Sequence, residues 1–340
     1  MALARYAIIN GKKVLLDSPA PKSQSDGRTL DKFSSSMLSQ FGFLRIAQKV
    51  ERADELTQED IELLLSKAGM PVLMKLVSLQ PKIREISVVR PAVILPISLW
   101  SSLGATYEEI AEESMNLLKG IPYDEVQVAI DEIDHSKLSF GLGALFIKLS
   151  QCREGITLVG PSVESLQNSE PGRLASRAHR LGQKLLELRG YGFKRLRASS
   201  DEESLQICHE LGFSTSLVTY ADDYPVLRYL AQELIKINSL AKQSGVLEVW
   251  SPGLRYLSNN DWVHRKILDY QLLRILAVSS LCLTNVPFIR ASSRNFSLAT
   301  LHLAPYFGAN DLGFGAFDSI TEQQLQLQPM KKLERVVRFT

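Results

Sequence analysis

The sequence predicts an α/β fold: a TIM-type (βα) barrel, complete or nearly complete, with an N-terminal helical arm. From Val88 onward, short β-branched apolar runs alternate with longer segments of helical periodicity, joined by short linkers. Such alternation implies parallel pairing with right-handed crossovers. The chain also has 340 residues, 45% of them hydrophobic and 22% charged. That is ordinary globular composition, and barrels of this kind reach this size as one unit.

The elements follow in order. Residues 1–40 form an N-terminal extension, partly flexible. In it, Tyr6 to Asn10 and Val14 to Leu16 flank Asn10-Gly11, a hairpin turn signal. Ser18 to Ser36 is rich in Ser, Pro, Lys and Asp and reads as a mobile connector. Residues 41–85 form the arm. Thr57 stands three residues before Asp60, a variant capping box opening a helix, and Gly69 separates it from a second helix over Met70 to Val77.

The barrel occupies 86–340. Val88 to Leu99 is its first strand, and Pro91 and Pro96 predict an irregular or edge position. Further strands are Val126 to Ile130, Ile156 to Val159, Phe193 to Ala198, Ser214 to Thr219, Leu247 to Trp250 and Phe288 to Ala291. Helices fall between them at Thr106 to Lys119, Leu138 to Gln151, Pro171 to Leu188, Ser204 to Leu211, Tyr224 to Lys242, Trp262 to Leu281 and Leu298 to Phe307. The last strand follows at Asn310 to Gly313.

Composition excludes several classes. A formal net charge of +2 is too small to imply a polyanion partner by itself. Three scattered cysteines, Cys152, Cys208 and Cys282, fit a reducing compartment and form no disulfide framework. The N-terminal residues lack a basic segment leading into a long apolar run, and no uninterrupted apolar stretch spans a bilayer. The expectation is a cytoplasmic protein with no membrane partner.

In a βα barrel the pocket is built by the loops after the strands. After the second strand, Asp131, Glu132 and His135 form a carboxylate–imidazole group capable of binding a divalent metal or of proton transfer, though such spacing alone favours a solvated acidic loop. After the third comes Glu164, a hydrogen-bond acceptor for a ribose or amine, or a helix-start glutamate. Tyr220 and Asp222 follow the fifth strand, with Asp223 expected to cap the next helix. Arg255 and Tyr256 follow the sixth, and Arg290 ends the seventh, where a guanidinium suits a carboxylate or phosphate. Asn310 and Asp311 lie at the rim of the last strand, where turn formation alone accounts for them equally well. Asp131, Glu132, His135 and Glu164 are the catalytic candidates; no metal site is expected.

A basic run also stands out: Arg173, Arg177, Arg180, Lys184, Arg189, Lys194, Arg195 and Arg197. The first four share one helix face. The expected reading is a solvated barrel exterior or partner interface; the alternative is a polyanion-binding surface over 173–197.

Three strings carry a resemblance. They are Leu56 to Val77 (LTQEDIELLLSKAGMPVLMKLV), Asn285-Val286-Pro287-Phe288-Ile289-Arg290 and Phe307-Gly308-Ala309-Asn310-Asp311-Leu312-Gly313. They resemble the radical S-adenosylmethionine enzymes of menaquinone and deazaflavin biosynthesis: aminofutalosine synthase, cyclic dehypoxanthine futalosine synthase and the FO synthases. The resemblance covers roughly 50–340. It implies a barrel fold with Glu164, Tyr220, Asp222, Arg255, Tyr256, Arg290, Asn310 and Asp311 near a ligand.

The chain departs from the family twice. The family's CxxxCxxC motif is absent, and Ser98 to Gly104 stands where its cluster loop belongs. Asp131-Glu132 stands where the family carries a Gly-Gly pair that admits S-adenosylmethionine. Together they predict a degenerate member without a [4Fe-4S] cluster and argue against S-adenosylmethionine as cofactor. Three functions remain: a pseudoenzyme of the futalosine route, partnering a cluster-bearing radical enzyme or a second copy of itself, or binding a nucleoside; a cluster-independent enzyme acting on a nucleoside or quinone precursor; and a polyanion binder.

Overall fold

A computed structural model describes residues 6–9, 12–15, 32–80, 90–95, 104, 106–119, 126–130, 140–152, 156–163, 166, 174–198, 202–254, 269–292 and 295–315. Strands β1 (Tyr6–Ile9) and β2 (Lys12–Leu15) pair antiparallel, from Tyr6 opposite Leu15 to Ile9 opposite Lys12. This is the hairpin the sequence predicts. The connector expected over Ser18 to Ser36 ends early, because α1 (Lys32–Gln40) already includes its last five residues.

Helices α2 (Leu44–Arg52), α3 (Gln58–Lys67) and α4 (Met70–Leu79) complete the arm. Thr57 caps α3 reciprocally: the Asp60 N–H donates to Thr57 Oγ1 at 3.3 Å, and the Thr57 N–H donates to Asp60 Oδ2 at 3.0 Å. Asp60 also accepts a charged hydrogen bond from Lys49 of α2, tying the two helices together. Burial pushes the Asp60 carboxyl upward, but the Lys49 and Thr57 hydrogen bonds outweigh it and hold it below its usual value. Val72, Leu73, Leu76, Val77 and Leu79 give α4 a buried apolar face.

The ring follows: β3 (Arg90–Leu95), α5 (Tyr107–Lys119), β4 (Val126–Ile130), α6 (Phe140–Gln151), β5 (Ile156–Ser162), α7 (Leu174–Gly190), β6 (Phe193–Ala198), α8 (Glu202–Glu210), β7 (Ser214–Tyr220), α9 (Leu227–Ser244), β8 (Leu247–Gly253), α10 (Asp269–Cys282), β9 (Phe288–Ser292), α11 (Leu298–Leu301) and β10 (Asp311–Gly315). Every ring pairing is parallel, each strand pairs with the next, and β10 pairs with both β9 and β3. Of the irregular or edge position that Pro91 and Pro96 predict, the edge half does not hold, because β3 pairs on both sides. Pro91 is tolerated because the β3–β4 ladder begins only at Ala92, so Pro91 owes that neighbour no N–H.

The arm docks on the outside of the ring, with α3 against α9 and α4 against α10. Arg274 Nη1 donates to the Leu65 carbonyl at 3.1 Å, and Gln80 Nε2 donates to the Ser280 carbonyl at 2.7 Å. α9 starts later than its periodicity predicts. Pro225 keeps Tyr224 out of helical geometry, and Ala221–Asp223 forms a separate 3₁₀ turn. Asp223 therefore does not cap the helix; Val226 stands at that position without a side-chain cap.

Side-chain alternation gives the ring two faces. Leu196, Leu217, Trp250, Ile289, Ala291 and Leu312 turn outward into the core shared with the helices, where Trp250 is fully buried and its indole N–H donates to Thr219 Oγ1 at 2.8 Å. Their neighbours along the strands, including Arg195, Arg197, Ser216, Val218, Ser251 and Arg290, turn inward. Among the described side chains the lumen is therefore mixed, with Val159 and Val249 beside these polar groups, while its outer jacket is apolar.

Candidate functional site

The lumen has a mouth at the strands' C-terminal ends and a floor at their N-terminal ends. At the mouth, Val218 and Tyr220 of β7 are each 37% exposed, unusual for inward residues of a ring. Gly253 of β8 keeps this corner open: a Cβ there would lie 2.5 Å from Val218 Cγ1 and 3.0 Å from Tyr220 Cδ1. Ser251 and Ser292 add small hydroxyls at neighbouring inward positions. Asn295 holds the exit of β8 in place. Its Nδ2 donates to the Pro252 carbonyl at 3.0 Å, and its Oδ1 accepts the Leu254 N–H at 3.1 Å. Nothing in the sequence singles out Asn295, because its partners lie more than 40 residues away.

The family-like strings near the C-terminus are anchored elsewhere. Arg290 sits in the middle of β9, not at its end, and Asp311 opens β10 beside it in register. The pair is bidentate, with Arg290 Nε donating to Asp311 Oδ1 at 2.7 Å and Nη2 donating to Oδ2 at 3.1 Å. Asp311 is fully buried and the Arg290 side chain is 11% exposed. Asn310 bridges the same two strands: its Oδ1 accepts the Ile289 N–H at 2.7 Å and its Nδ2 donates to the Pro287 carbonyl at 2.9 Å. Asn285 donates through both its backbone N–H and Nδ2 to Asn238 Oδ1 of α9. Gly308, at φ +88°, brings the preceding turn so close to α10 that a Cβ would collide with Ser280 Oγ. The strings thus lock the last two strands to each other and to two helices.

On the floor, β6 carries Arg195, only 3% exposed. Its Nε donates to Ser214 Oγ of β7 at 3.2 Å, and its Nη2 pairs with Glu248 of β8. Arg197 Nε donates to the Gly160 carbonyl at 3.4 Å. The last two members of the basic run therefore face the lumen and are not part of a solvated exterior. Arg189 packs over the following turn, donating from Nη1 to the Leu211 carbonyl at 2.7 Å. Lys184 is half-buried and Lys194 is exposed. Arg195 and Arg197 stand two residues apart on the strand the sequence predicts over Phe193 to Ala198, the spacing that puts two side chains on one face.

The remaining candidates divide in two. Of Tyr220 and Asp222, the structure places Tyr220 at the mouth and Asp222 in the 3₁₀ turn just beyond it. Asp131, Glu132, His135, Glu164, Arg255, Tyr256 and Arg173 lie outside the described residues, as do the side chains of Arg177 and Arg180 and the loop from 98 to 103.

The three cysteines are all described. Cys152 immediately follows α6, Cys208 lies on α8 and Cys282 ends α10; the last two are buried in the apolar jacket, and none forms a disulfide. The three thiols thus belong to three separate helical segments, whereas an iron–sulfur cluster needs convergent thiolates. Among the described residues, no group of three or more His, Cys, Asp or Glu is placed to hold a metal ion. No described helix is long and apolar enough to cross a membrane.

Neither family models nor curated proteins match this chain. Solved structures do. Methylornithine synthase (PylB) superposes with a TM-score of 0.60 at 14% identity, covering 86% of this chain and 95% of its own. The FeFe-hydrogenase maturase HydG from Carboxydothermus hydrogenoformans gives 0.57 at 12% identity, covering 91% of this chain and 79% of its own. A second HydG structure gives 0.55 at 12% identity over 79% and 67%. At such identities the likeness is one of fold. The shared fold is an α/β barrel.

Proposed function

We propose that this chain is a degenerate radical-SAM-like barrel protein of the futalosine route to menaquinone, a pseudoenzyme that binds a cluster-bearing radical enzyme or a nucleoside of that pathway. The observation that supports it is the contrast between two sets of residues. The family-like strings are kept and built into the strand closure through Asn310, Asp311 and Arg290. The thiols are dispersed over α6, α8 and α10. A barrel that keeps its architecture but carries no convergent thiolates has no means of holding the centre that reductively cleaves a sulfonium.

The open corner at Val218, Tyr220 and Gly253 is the ligand entrance in this reading. Tyr220 offers an aromatic face and a phenol, and Ser251 and Ser292 offer hydroxyls suited to a ribose. Arg290 serves the strand closure in this scheme, not the ligand.

A thermal-shift screen tests the ligand half of the proposal. A nucleoside that binds only the folded state adds about 2.7 kcal/mol at a hundredfold excess over its Kd. Futalosine-type nucleosides should raise the melting temperature of the wild type, and Tyr220→Ala should abolish the rise. Equal shifts in both proteins, or none in either together with failure to capture a radical enzyme of the pathway, would contradict it.

A further inference from the structure

A cavity opens at the opposite end of the barrel from the mouth. It has a volume of about 770 Å³ and is lined by Thr157, Arg189, Lys194, Arg195, Ser214, Glu248 and Phe288, with the turn glycines Gly192 and Gly212 between them. That volume lies within the range of small-molecule sites.

Two irregularities in the ladder build it. Leu158 pairs with Phe193 and Val159 with Arg195, so Lys194 is an extra residue on β6. Thr215 pairs with Leu247 and Ser216 with Val249, so Glu248 is an extra residue on β8. Bulges re-aim side chains, and they concentrate at barrel rims and beside active sites. Here the two bulged residues flank β7 and line the same cavity. The β6 bulge also lets Phe193 turn outward onto Phe146 of α6, at 5.0 Å between ring centroids, while Arg195 turns inward. A regular strand would leave both on one face.

Charge then narrows the occupant. Three cations, Arg189, Lys194 and Arg195, stand against one carboxylate, Glu248. Arg195 and Glu248 pair with each other, and Arg189 is held by the Leu211 carbonyl. Lys194 is exposed and has no ion pair among the described residues. α7 and α8 both end at this face, at Gly190 and Glu210. Their carboxyl ends contribute about half a negative charge each, leaving roughly one net positive charge. Phe288 and Pro287 supply an apolar wall on the far side.

We propose that this basal cavity is a binding site for a small organic oxyanion, with one carboxylate or phosphate group held at Lys194 and an apolar body against Phe288 and Pro287. It is distinct from the mouth, because its lining residues lie at the strands' N-terminal ends and include neither Val218, Tyr220 nor Gly253. The proposal does not rest on the pathway proposed above.

The probes are phenyl phosphate, phenylacetate and inorganic phosphate, titrated by calorimetry into the full-length protein and into Lys194→Glu and Lys194→Ala. Lys194 is exposed, so both variants should keep the wild-type melting temperature. Phenyl phosphate or phenylacetate should bind the wild type at least tenfold more tightly than inorganic phosphate. The better of the two identifies the oxyanion. Lys194→Ala should weaken that probe severalfold and Lys194→Glu at least tenfold. No binding by either organic probe, equal affinity for inorganic phosphate, or unchanged affinity in Lys194→Glu overturns the proposal. So does a loss confined to Tyr220→Ala, which would place the probe at the mouth.

Discussion

The two ends of the lumen are built on opposite principles. At the floor, long charged side chains are paired: the buried Arg195 with the part-exposed Glu248, and Arg290 with the buried Asp311. At the mouth, side chains are small or exposed: Gly253, Ser251, Val218 and Tyr220. A buried charge is costly unless its partner is in place, whereas an exposed phenol or a glycine contributes little to folding. The floor should therefore govern stability and the mouth should govern binding.

The largest expected effect lies in the β9–β10 lock. Asp311→Ala leaves the Arg290 guanidinium buried beside an empty position, a loss of about 3–5 kcal/mol for breaking such a pair. Urea unfolding should show a much lower midpoint with an unchanged slope. A loss under 1 kcal/mol would mean that the pair is not a structural lock.

Gly308→Ala comes next. It combines a left-handed backbone with a collision at Ser280 Oγ, so a loss of about 1–3 kcal/mol is expected. Combining it with Ser280→Gly should recover part of that loss. No recovery would assign the cost to backbone strain alone.

In the arm, Thr57→Ala removes a helix cap worth about 1 kcal/mol. The same motif sets a pH dependence. The folded-state value of Asp60 is depressed, so its contribution is complete above the unfolded carboxylate value of about 3.9 and is lost as pH falls through the lower folded value. Asp60→Asn should be less stable than the wild type at pH 7, and the difference should shrink toward pH 2. A difference that stays constant with pH would contradict this account.

The smallest effect on stability belongs to the mouth. Tyr220→Ala should change unfolding free energy by no more than about 0.5 kcal/mol, while removing the nucleoside-induced shift. A large loss of stability there would erase the contrast between the two ends.

This contrast also explains what the sequence made legible. Strand and helix order could be read because each element carries its own period: β4 and β6 begin and end where the sequence predicts them. The capping box at Thr57 could be read because all of its partners lie within four residues. The roles of Arg290, Asn310 and Asp311 could not, because polar residues after a strand look alike whether they face a ligand or one another. Only register shows that Asp311 lies beside Arg290. The basal bulges were likewise hidden: a bulge is a mismatch between two strands, and a single strand does not display it. Pro91 misled for the same reason, since its tolerance depends on where the β4 ladder begins.

The central claim is that this barrel holds no iron–sulfur centre, and anaerobic reconstitution with ferrous iron and sulfide tests it most directly. After desalting, iron and sulfide analysis should find no stoichiometric metal, and dithionite should produce no cluster signal in electron paramagnetic resonance. About four iron and four sulfide per chain, as a [4Fe-4S] cluster requires, with a signal that changes on adding S-adenosylmethionine, would contradict it.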